Sequence, residues 1–184
     1  SQGVDIVFDM PNTKRPILYE KDVDKRLSLV PESQRDRYFL FIGATSNADQ
    51  LYKAARLVEN RKEVIGLKMF AGKSTGDLEI IDKDFQRKVY AVLSACDYRG
   101  VIAVHCEKEK HINNTFDSNN PISHAYSRPK IAEIESIKDQ IRFVMETGFK
   151  GVLHICHVSC RESLELIDAA RREIRISCGI TPHH

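Results

Sequence analysis

Two histidines and a lysine occupy comparable places in three apolar segments of this sequence. The segments are VIGLKMF at 64–70, which contains Lys68, VIAVHC at 101–106, which contains His105, and VLHICH at 152–157, which ends at His157. In a parallel β/α fold, residues at the carboxyl ends of the strands meet at the active face. Imidazole is the commonest protein ligand of metal ions. This pattern therefore predicts a metal-dependent hydrolase.

Each histidine also has a simpler interpretation. A single histidine at the end of a buried strand is usually a hydrogen-bonded core residue, but His105 and His157 lie at equivalent places in successive units, which favours metal binding. His154 either binds the same ion as His157 or lies deeper in the strand as a supporting, packed residue. We favour the second interpretation for His154.

Lys68 is harder to explain as an ordinary core residue, because a buried lysine is unfavourable unless it is paired. One explanation is a salt bridge, for which Glu107 is a candidate partner. The other is a neutral amine that reacts with carbon dioxide. Burial lowers the pKa of a lysine and makes that reaction accessible. The resulting carboxylated side chain is an anionic oxygen ligand that can bridge two divalent ions.

Four further histidines were considered as ligands. His111 and His124 lie in a long polar stretch at 107–128, and we expect them to be surface residues. His183 and His184 follow Pro182 at the end of the sequence, and we take them as native rather than as the remainder of a purification tag. Cys106 and Cys156 neighbour the proposed ligands, but without Cys-X-X-Cys spacing or an obvious base they are expected to be core thiols.

Six apolar segments alternate with helical patterns. We predict buried strands at 3–9, 38–43, 64–70, 101–106, 151–157 and 174–178. Continuous apolar character is typical of a parallel sheet covered by helices. Polar residues gather after every strand, and no glycine-rich phosphate turn is present, so a β/α barrel is favoured over a doubly wound sheet.

The helices between the strands follow from periodicity and capping residues. Ser46 or Asn47 is expected to cap one helix, Asp82 another, and Gly148 to end a third. The predicted buried faces comprise Leu51, Ala54, Ala55 and Val58; Phe85, Val89, Val92 and Leu93; Ile131, Ile134, Ile137, Ile141 and Val144; and Leu164, Ile167 and Ala170.

Composition indicates one ordinary globular domain. The 184 residues are 42% hydrophobic and 29% charged, with a net charge of +2. This balance argues against nucleic acid or a membrane surface as a partner, and no apolar run approaches the length of a membrane span. Five cysteines without close spacing indicate reduced thiols and a cytoplasmic protein. A small molecule is the expected partner.

Several short motifs together resemble the dihydroorotases, which are metal-dependent β/α barrels of the amidohydrolase superfamily. They are MPNT at 10–13, GLKMF at 66–70, VHCE at 104–107, HAYSRPKIAE at 124–133, HICHVS at 154–159 and TPHH at 181–184. The resemblance implies a (β/α)8 TIM-type barrel. Residues 1–184 would form a partial barrel domain covering about six of the eight units, strands two to seven.

The resemblance also implies a binuclear zinc site. Carboxylated Lys68 would bridge the two ions, His105 and His157 would hold the second ion, and Asn12 would bind the substrate carboxylate. The implied reaction interconverts dihydroorotate and N-carbamoyl-aspartate in pyrimidine synthesis. The family's catalytic aspartate and its first His-X-His pair have no counterpart in the sequence. We therefore expect a fragment, or the ordered part of a longer protein, whose site is incomplete by itself.

Two other functions remain open. One is a related cyclic amidase of the allantoinase or dihydropyrimidinase type, and the other is a non-catalytic homologue with a structural or assembly role. A partial barrel also predicts that the strands at 3–9 and 174–178 are open edges with exposed apolar side chains. Such edges would favour aggregation, pairing with another chain or homo-oligomer formation.

Overall fold

A parallel sheet forms the centre of the computed structural model, which describes residues 3–74, 76–113, 115–182 and 184. Within these ranges the sheet has six strands in chain order: β1 (Val7–Asp9), β2 (Tyr38–Gly43), β3 (Val64–Ala71), β4 (Val101–Cys106), β5 (Val152–Ile155) and β6 (Ile176–Cys178). Neighbouring strands are all parallel. Sequential parallel strands with intervening helices are the arrangement of a β/α barrel, as the sequence predicts.

Six α-helices connect the strands in the described part of the chain. They are α1 (Glu20–Leu27), α2 (Ala48–Asn60), α3 (Lys83–Ala95), α4 (Ser123–Ser127), α5 (Lys130–Thr147) and α6 (Arg161–Ala170). Asn47 caps α2 by accepting hydrogen bonds from the amides of Asp49 and Gln50. Asp82 caps α3 in the same way, and Gly148 ends α5 with a left-handed φ of 64°. These three caps confirm the sequence prediction.

The two faces of the sheet have different chemistry. The face that packs on the helices is wholly apolar and buried, with Leu40, Ile42, Leu67, Met69, Ile102, Val104, Leu153 and Ile155 in the main core. Each such side chain contributes about 1.5–3 kcal/mol through burial. Because side chains alternate along a strand, the residues between these point to the opposite face. There Lys68, Ala103, His154 and Ser177 lie in one lateral row across β3 to β6.

A chain of buried amides connects α5 to α3. The Tyr90 hydroxyl donates to Gln140 Oε1 at 2.9 Å, and Gln140 Nε2 donates to Gln86 Oε1 at 2.8 Å. Gln86 Nε2 then donates to the carbonyl of Ile80 at 2.6 Å. Each polar group in this interior row therefore has a partner, as buried polar groups require.

The β1 edge differs from the prediction of a buried strand at 3–9. Only Val7–Asp9 forms a ladder, and Val4, Ile6, Val7 and Phe8 are 44–60% exposed. Within the described residues β1 pairs only with β2, so its other side lacks the neighbour that would bury these side chains. The expectation of an open apolar edge is thereby confirmed for β1. At the opposite edge Ile176 is buried, and the exposed apolar residue is Ile180.

Some predicted core positions are also wrong. Phe85, Ile131 and Leu164 are 49%, 40% and 42% exposed. Each lies within the first four residues of its helix. The helical period is correct in each case, but the first turn extends beyond the surface that packs on the sheet. The strands predicted at 151–157 and 174–178 are likewise shorter, ending at Ile155 and starting at Ile176.

Candidate metal centre

His105 and His157 come together at the carboxyl ends of two neighbouring strands. His105 is the penultimate residue of β4, and His157 lies two residues beyond the end of β5. His105 Nδ1 and His157 Nε2 are 3.2 Å apart, and the ring centroids are 5.1 Å apart. The structure therefore brings two of the three predicted metal ligands into direct contact.

The backbone at His157 adopts a left-handed conformation with a φ of 38°. This region is unfavourable for residues other than glycine. Backbone hydrogen bonds hold the turn on both sides: Cys156 N donates to the Val104 carbonyl at 3.0 Å, and Val158 N donates to the Gly179 carbonyl at 2.8 Å. The Val158 side chain is 1% exposed. The fold thus fixes His157 through its neighbours on β4 and after β6.

Lys68 is buried in β3, with 3% of its surface exposed. Its Nζ lies 3.4 Å from Cys156 Sγ, 3.5 Å from the Met69 carbonyl and 4.5 Å from the centroid of the Phe70 ring. Burial, only partly offset by Cys156, lowers the pKa of Lys68. Among the described residues no carboxylate pairs with this amine. The environment therefore favours the neutral amine.

The salt bridge between Lys68 and Glu107 that the sequence left open is not formed. Glu107 instead accepts a hydrogen bond from Arg128, 21 residues further along the chain. Glu107 Oε2 also lies 3.3 Å from His105 Nε2. Burial opposes ionisation of Glu107, but His105 and Arg128 outweigh it and lower the pKa of this carboxyl group. Glu107 thus remains a carboxylate beside His105.

The backbone of Glu107 passes so close to Gly72 that only glycine fits at position 72. Gly72 has a φ of 154°, and a Cβ at this position would clash with the Glu107 carbonyl oxygen. The loop after β3 can therefore pass close to the segment after β4 only without a side chain. This close approach sets the position of Glu107 relative to β3.

A pocket of about 460 Å³ opens over these strand ends. Its lining combines the two contacting histidines with charged groups from the start of α5 and the segment before it. It comprises His105, Cys106, Glu107, His124, Arg128, Pro129, Lys130, Glu133, His157, Ser159 and His184. His124 is an exposed residue, as predicted, although it borders the pocket. His183 lies outside the described residues. His111 is half-buried rather than fully at the surface.

His154 and Asn12 stand apart from this pocket. His154 Nδ1 lies 2.9 Å from Ser177 Oγ on β6. Burial, with a smaller contribution from Lys68, lowers the pKa of His154. This environment suits a packed, neutral ring. Asn12 is half-buried in the turn after β1, and the residues that line the pocket do not include it.

The motif from His124 to Glu133 carries no predicted role for its individual residues. The structure places Arg128 against Glu107 and Glu133 against the amide and hydroxyl of Ser159. These contacts join α5 and the segment before it to the segments that follow β4 and β5. The only signal in the sequence was the motif itself, because pairs separated by 21 and 26 residues leave no local pattern.

The two histidines fit a divalent ion. Nitrogens bound to tetrahedral zinc at 2.0–2.1 Å stand about 3.3 Å apart, which matches the 3.2 Å separation of His105 Nδ1 and His157 Nε2. Burial, followed by the neighbouring His105 and Lys68, lowers the pKa of His157 and favours the neutral ring that a metal requires. The described residues contain no cluster of three or more His, Cys, Asp or Glu able to hold a metal.

His105 Nε2 is a second indication of an incomplete polar site. This buried atom has no hydrogen-bond partner among the described residues. Its 3.3 Å approach to Glu107 lies within ion-pairing distance, but the geometry is not that of a hydrogen bond. We therefore treat the contact with Glu107 as electrostatic.

Among the described residues, no helix combines the length and apolar character needed to cross a membrane.

The chain resembles cyclic amide hydrolases in both sequence and fold. It is 31% identical over 185 aligned residues to the dihydroorotase of Pyrococcus furiosus, covering 99% of this chain and 36% of that protein. It is 31% identical over 133 residues to the allantoinase of Enterococcus faecalis, covering 66% of this chain and 28% of that protein. No protein-family model matches the chain.

The fold is similar to that of a D-hydantoinase from Bacillus sp. AR9. The TM-score is 0.76 at 20% identity, and the match covers 98% of this chain and 40% of that structure. Together with the dihydroorotase similarity along the full chain, this confirms the prediction of a partial β/α barrel. The chain is therefore similar to the dihydroorotases along its full length and spans a little over a third of the length of those relatives.

Proposed function

We propose that this chain is part of a metal-dependent cyclic amide hydrolase that interconverts dihydroorotate and N-carbamoyl-aspartate. The observation that carries the proposal is the contact between His105 and His157, in a separation that suits one divalent ion. The dihydroorotase relatives, which align with 99% of the chain, support the substrate. We also propose a cytoplasmic location and a role in pyrimidine synthesis.

Lys68 is proposed to be carboxylated. Its neutral Nζ attacks the carbon of carbon dioxide, the nitrogen releases one proton, and the product is an anionic carbamate. Burial and the lack of a described carboxylate partner support this reaction, because both favour the neutral amine. The carbamate would then supply anionic oxygen ligands for two zinc ions.

His105 and His157 are proposed to hold the second of these ions. A bound divalent ion lowers the pKa of water and polarises a carbonyl group. The protein's own contribution is to hold the two imidazoles facing one another and to lower the pKa of the His157 ring by burial. Glu107 and Arg128 add fixed charges of opposite sign beside His105.

Asn12 is proposed to bind the substrate carboxylate through its side-chain N–H groups. It follows β1, and the strands are parallel, so it lies at the same end of the sheet as His105 and His157. The pocket over the two histidines does not reach Asn12. This assignment therefore depends on the resemblance of the MPNT turn to the family motif.

A second candidate substrate class is the cyclic ureides related to allantoin. The allantoinase relative is as similar in identity as the dihydroorotase, although it aligns with two thirds of the chain rather than nearly all of it. The wider alignment favours dihydroorotate. A non-catalytic role is a third outcome that the experiment must separate.

The test is turnover by the full-length protein after loading with zinc and bicarbonate. We expect hydrolysis of dihydroorotate or its formation from N-carbamoyl-aspartate, with slower turnover of allantoin and dihydrouracil. Intact-mass analysis should show the mass of one carbon dioxide added at Lys68. Preferred turnover of allantoin would move the protein to the second class, and zinc loading without any turnover would contradict the enzyme assignment.

A further inference from the structure

We propose that Glu133 is a positioning residue that fixes His157 in its ligand geometry. The inference rests on the proposed function, because it takes His157 as a metal ligand. The hydrogen bonds of the Glu133 carboxylate go to Ser159 and Cys160 and not to the His157 ring. Glu133 acts instead on the backbone that follows the histidine.

Glu133 makes three hydrogen bonds to Ser159, which lies two residues after His157. Glu133 lies in the first turn of α5 and accepts from Ser159 N at 3.2 Å through Oε1 and at 3.0 Å through Oε2. The Ser159 hydroxyl donates to Oε2 at 2.7 Å. Cys160 Sγ also lies 3.4 Å from Oε1. A carboxylate that accepts several hydrogen bonds holds its donors firmly, because charge-assisted bonds are the stronger ones.

The backbone needs such a restraint. A left-handed backbone at a residue other than glycine is strained and persists only when its surroundings impose it. His157 has a φ of 38°. Backbone bonds from Cys156 and Val158 hold the residues on either side. Glu133 holds the next residue, Ser159, and so fixes the direction in which the chain leaves the turn.

Ordinary helix capping does not account for these contacts. The cap residue of α6 is Cys160, and its first helical residue is Arg161. The amide that Glu133 binds belongs to Ser159, one residue before the cap. Glu133 therefore binds the turn that holds His157 rather than the open amides within the helix.

The experiment compares Glu133→Gln with the control Glu162→Gln. Glu162 lies in the first turn of α6, as Glu133 lies in the first turn of α5. Its carboxylate pairs with Lys130 and not with Ser159. Both substitutions preserve side-chain size and remove one charge. Glu133→Ala is the stronger variant, and Glu133→Gln remains informative if the alanine variant does not fold. All variants are made in the full-length protein.

Two measurements are made on each variant. Hydrogen exchange of the Ser159 amide in metal-free protein reports on the turn. Titration with cobalt(II), followed by its visible absorption, reports affinity and ligand geometry. We expect Glu133→Gln to accelerate exchange at Ser159 and to weaken cobalt binding about tenfold, and Glu133→Ala to weaken it up to about 100-fold. Glu162→Gln should leave both measurements at wild-type values.

The outcomes separate this inference from the proposed function. Unchanged Ser159 exchange in Glu133→Gln overturns the restraint on the turn, whatever the metal does. Faster exchange with unchanged cobalt affinity and spectrum, while His157→Ala loses cobalt, overturns the positioning role alone. Wild-type cobalt affinity in His157→Ala shows that His157 is not a ligand, which overturns the proposed metal site and this inference together.

Discussion

The central strands and the β1 edge of the same sheet position their residues with different precision. Lys68 on β3 is 3% exposed, and Ile102 on β4 is fully buried. Phe8 on β1 is 56% exposed, although it too belongs to a segment predicted as a buried strand. A strand with neighbours on both sides and helices over one face has its side chains fixed by packing. The histidine half of the proposed site therefore rests on well-packed strands, whereas Asn12 follows the exposed one.

The largest expected effect concerns the two histidines of the proposed site. Replacement of His105 or His157 by alanine should remove measurable cobalt and zinc binding at this position, because each substitution deletes one of two facing nitrogens. Isothermal titration of the full-length protein measures the loss. His124→Ala is the matched control, since this exposed histidine borders the same pocket. Equal losses in all three variants would contradict the assigned pair.

A core substitution tests the packing side of the comparison. Ile102→Ala on β4 should lower the free energy of unfolding by about 2–5 kcal/mol, because it removes buried apolar volume that neighbouring strands cannot refill. Ile102 is completely buried between β3 and β5. Urea unfolding followed by circular dichroism gives the value. A loss below about 1 kcal/mol would show that the central strands are less rigidly packed than described.

Lys68→Met should separate stability from function. Removal of the buried amine is expected to stabilise metal-free protein at pH 7 by about 1–3 kcal/mol, the scale for burying a polar group without a partner. The same variant should lose the carbon dioxide adduct, because it lacks the reacting nitrogen. Chemical unfolding and intact-mass analysis check the two parts. A destabilised Met variant would mean that Lys68 has a stabilising partner.

The pH dependence of stability tests the burial of the Lys68 amine in a second way. Its folded pKa is lowered by burial from the ordinary value of 10.5, so the unfolded chain binds more protons than the folded one between these two values. Stability from this group is therefore lost as the pH falls through that window and regained as it rises. Unfolding of wild-type protein in metal-free, carbon dioxide-free buffer should show this slope, and Lys68→Met should lack it.

The smallest expected effect lies at the β1 edge. Phe8→Ser should change the free energy of unfolding of the 184-residue chain by no more than about 0.5 kcal/mol, because the side chain is already exposed. It should also reduce self-association, which exposed edge strands promote. Sedimentation velocity and urea unfolding measure the two quantities. A cost comparable to that of Ile102→Ala would erase the distinction between edge and centre.

The sequence predicts the central fold well because local patterns determine it. Strands β2 and β4 have the predicted bounds, since each is a run of six mostly apolar residues. The caps at Asn47 and Asp82 depend on side chains that bind amides two and three residues away. The β1 strand is shorter than predicted because its apolar pattern cannot show how many neighbours the strand has.

The site is less predictable because its contacts join distant residues. The place of His105 at a strand end follows from pattern, but its distance to His157 depends on the pairing of β4 with β5. The partner of Glu107 proved to be Arg128 rather than Lys68, through a contact that no periodicity encodes. The left-handed backbone of His157 was also hidden, since histidine carries no strong conformational signal.

The amide row from Tyr90 to Ile80 has one further consequence, which concerns direction. Each amide donates toward Ile80 and accepts from the Tyr90 side, so the row has a single polarity. Rotating the Gln86 amide would place donor against donor at Gln140 and acceptor against acceptor at Ile80. A slip of α5 along α3 by one side chain would break both hydrogen bonds of Gln140 at once. The row therefore fixes the position of α5 along α3. Apolar packing alone would define that position less sharply.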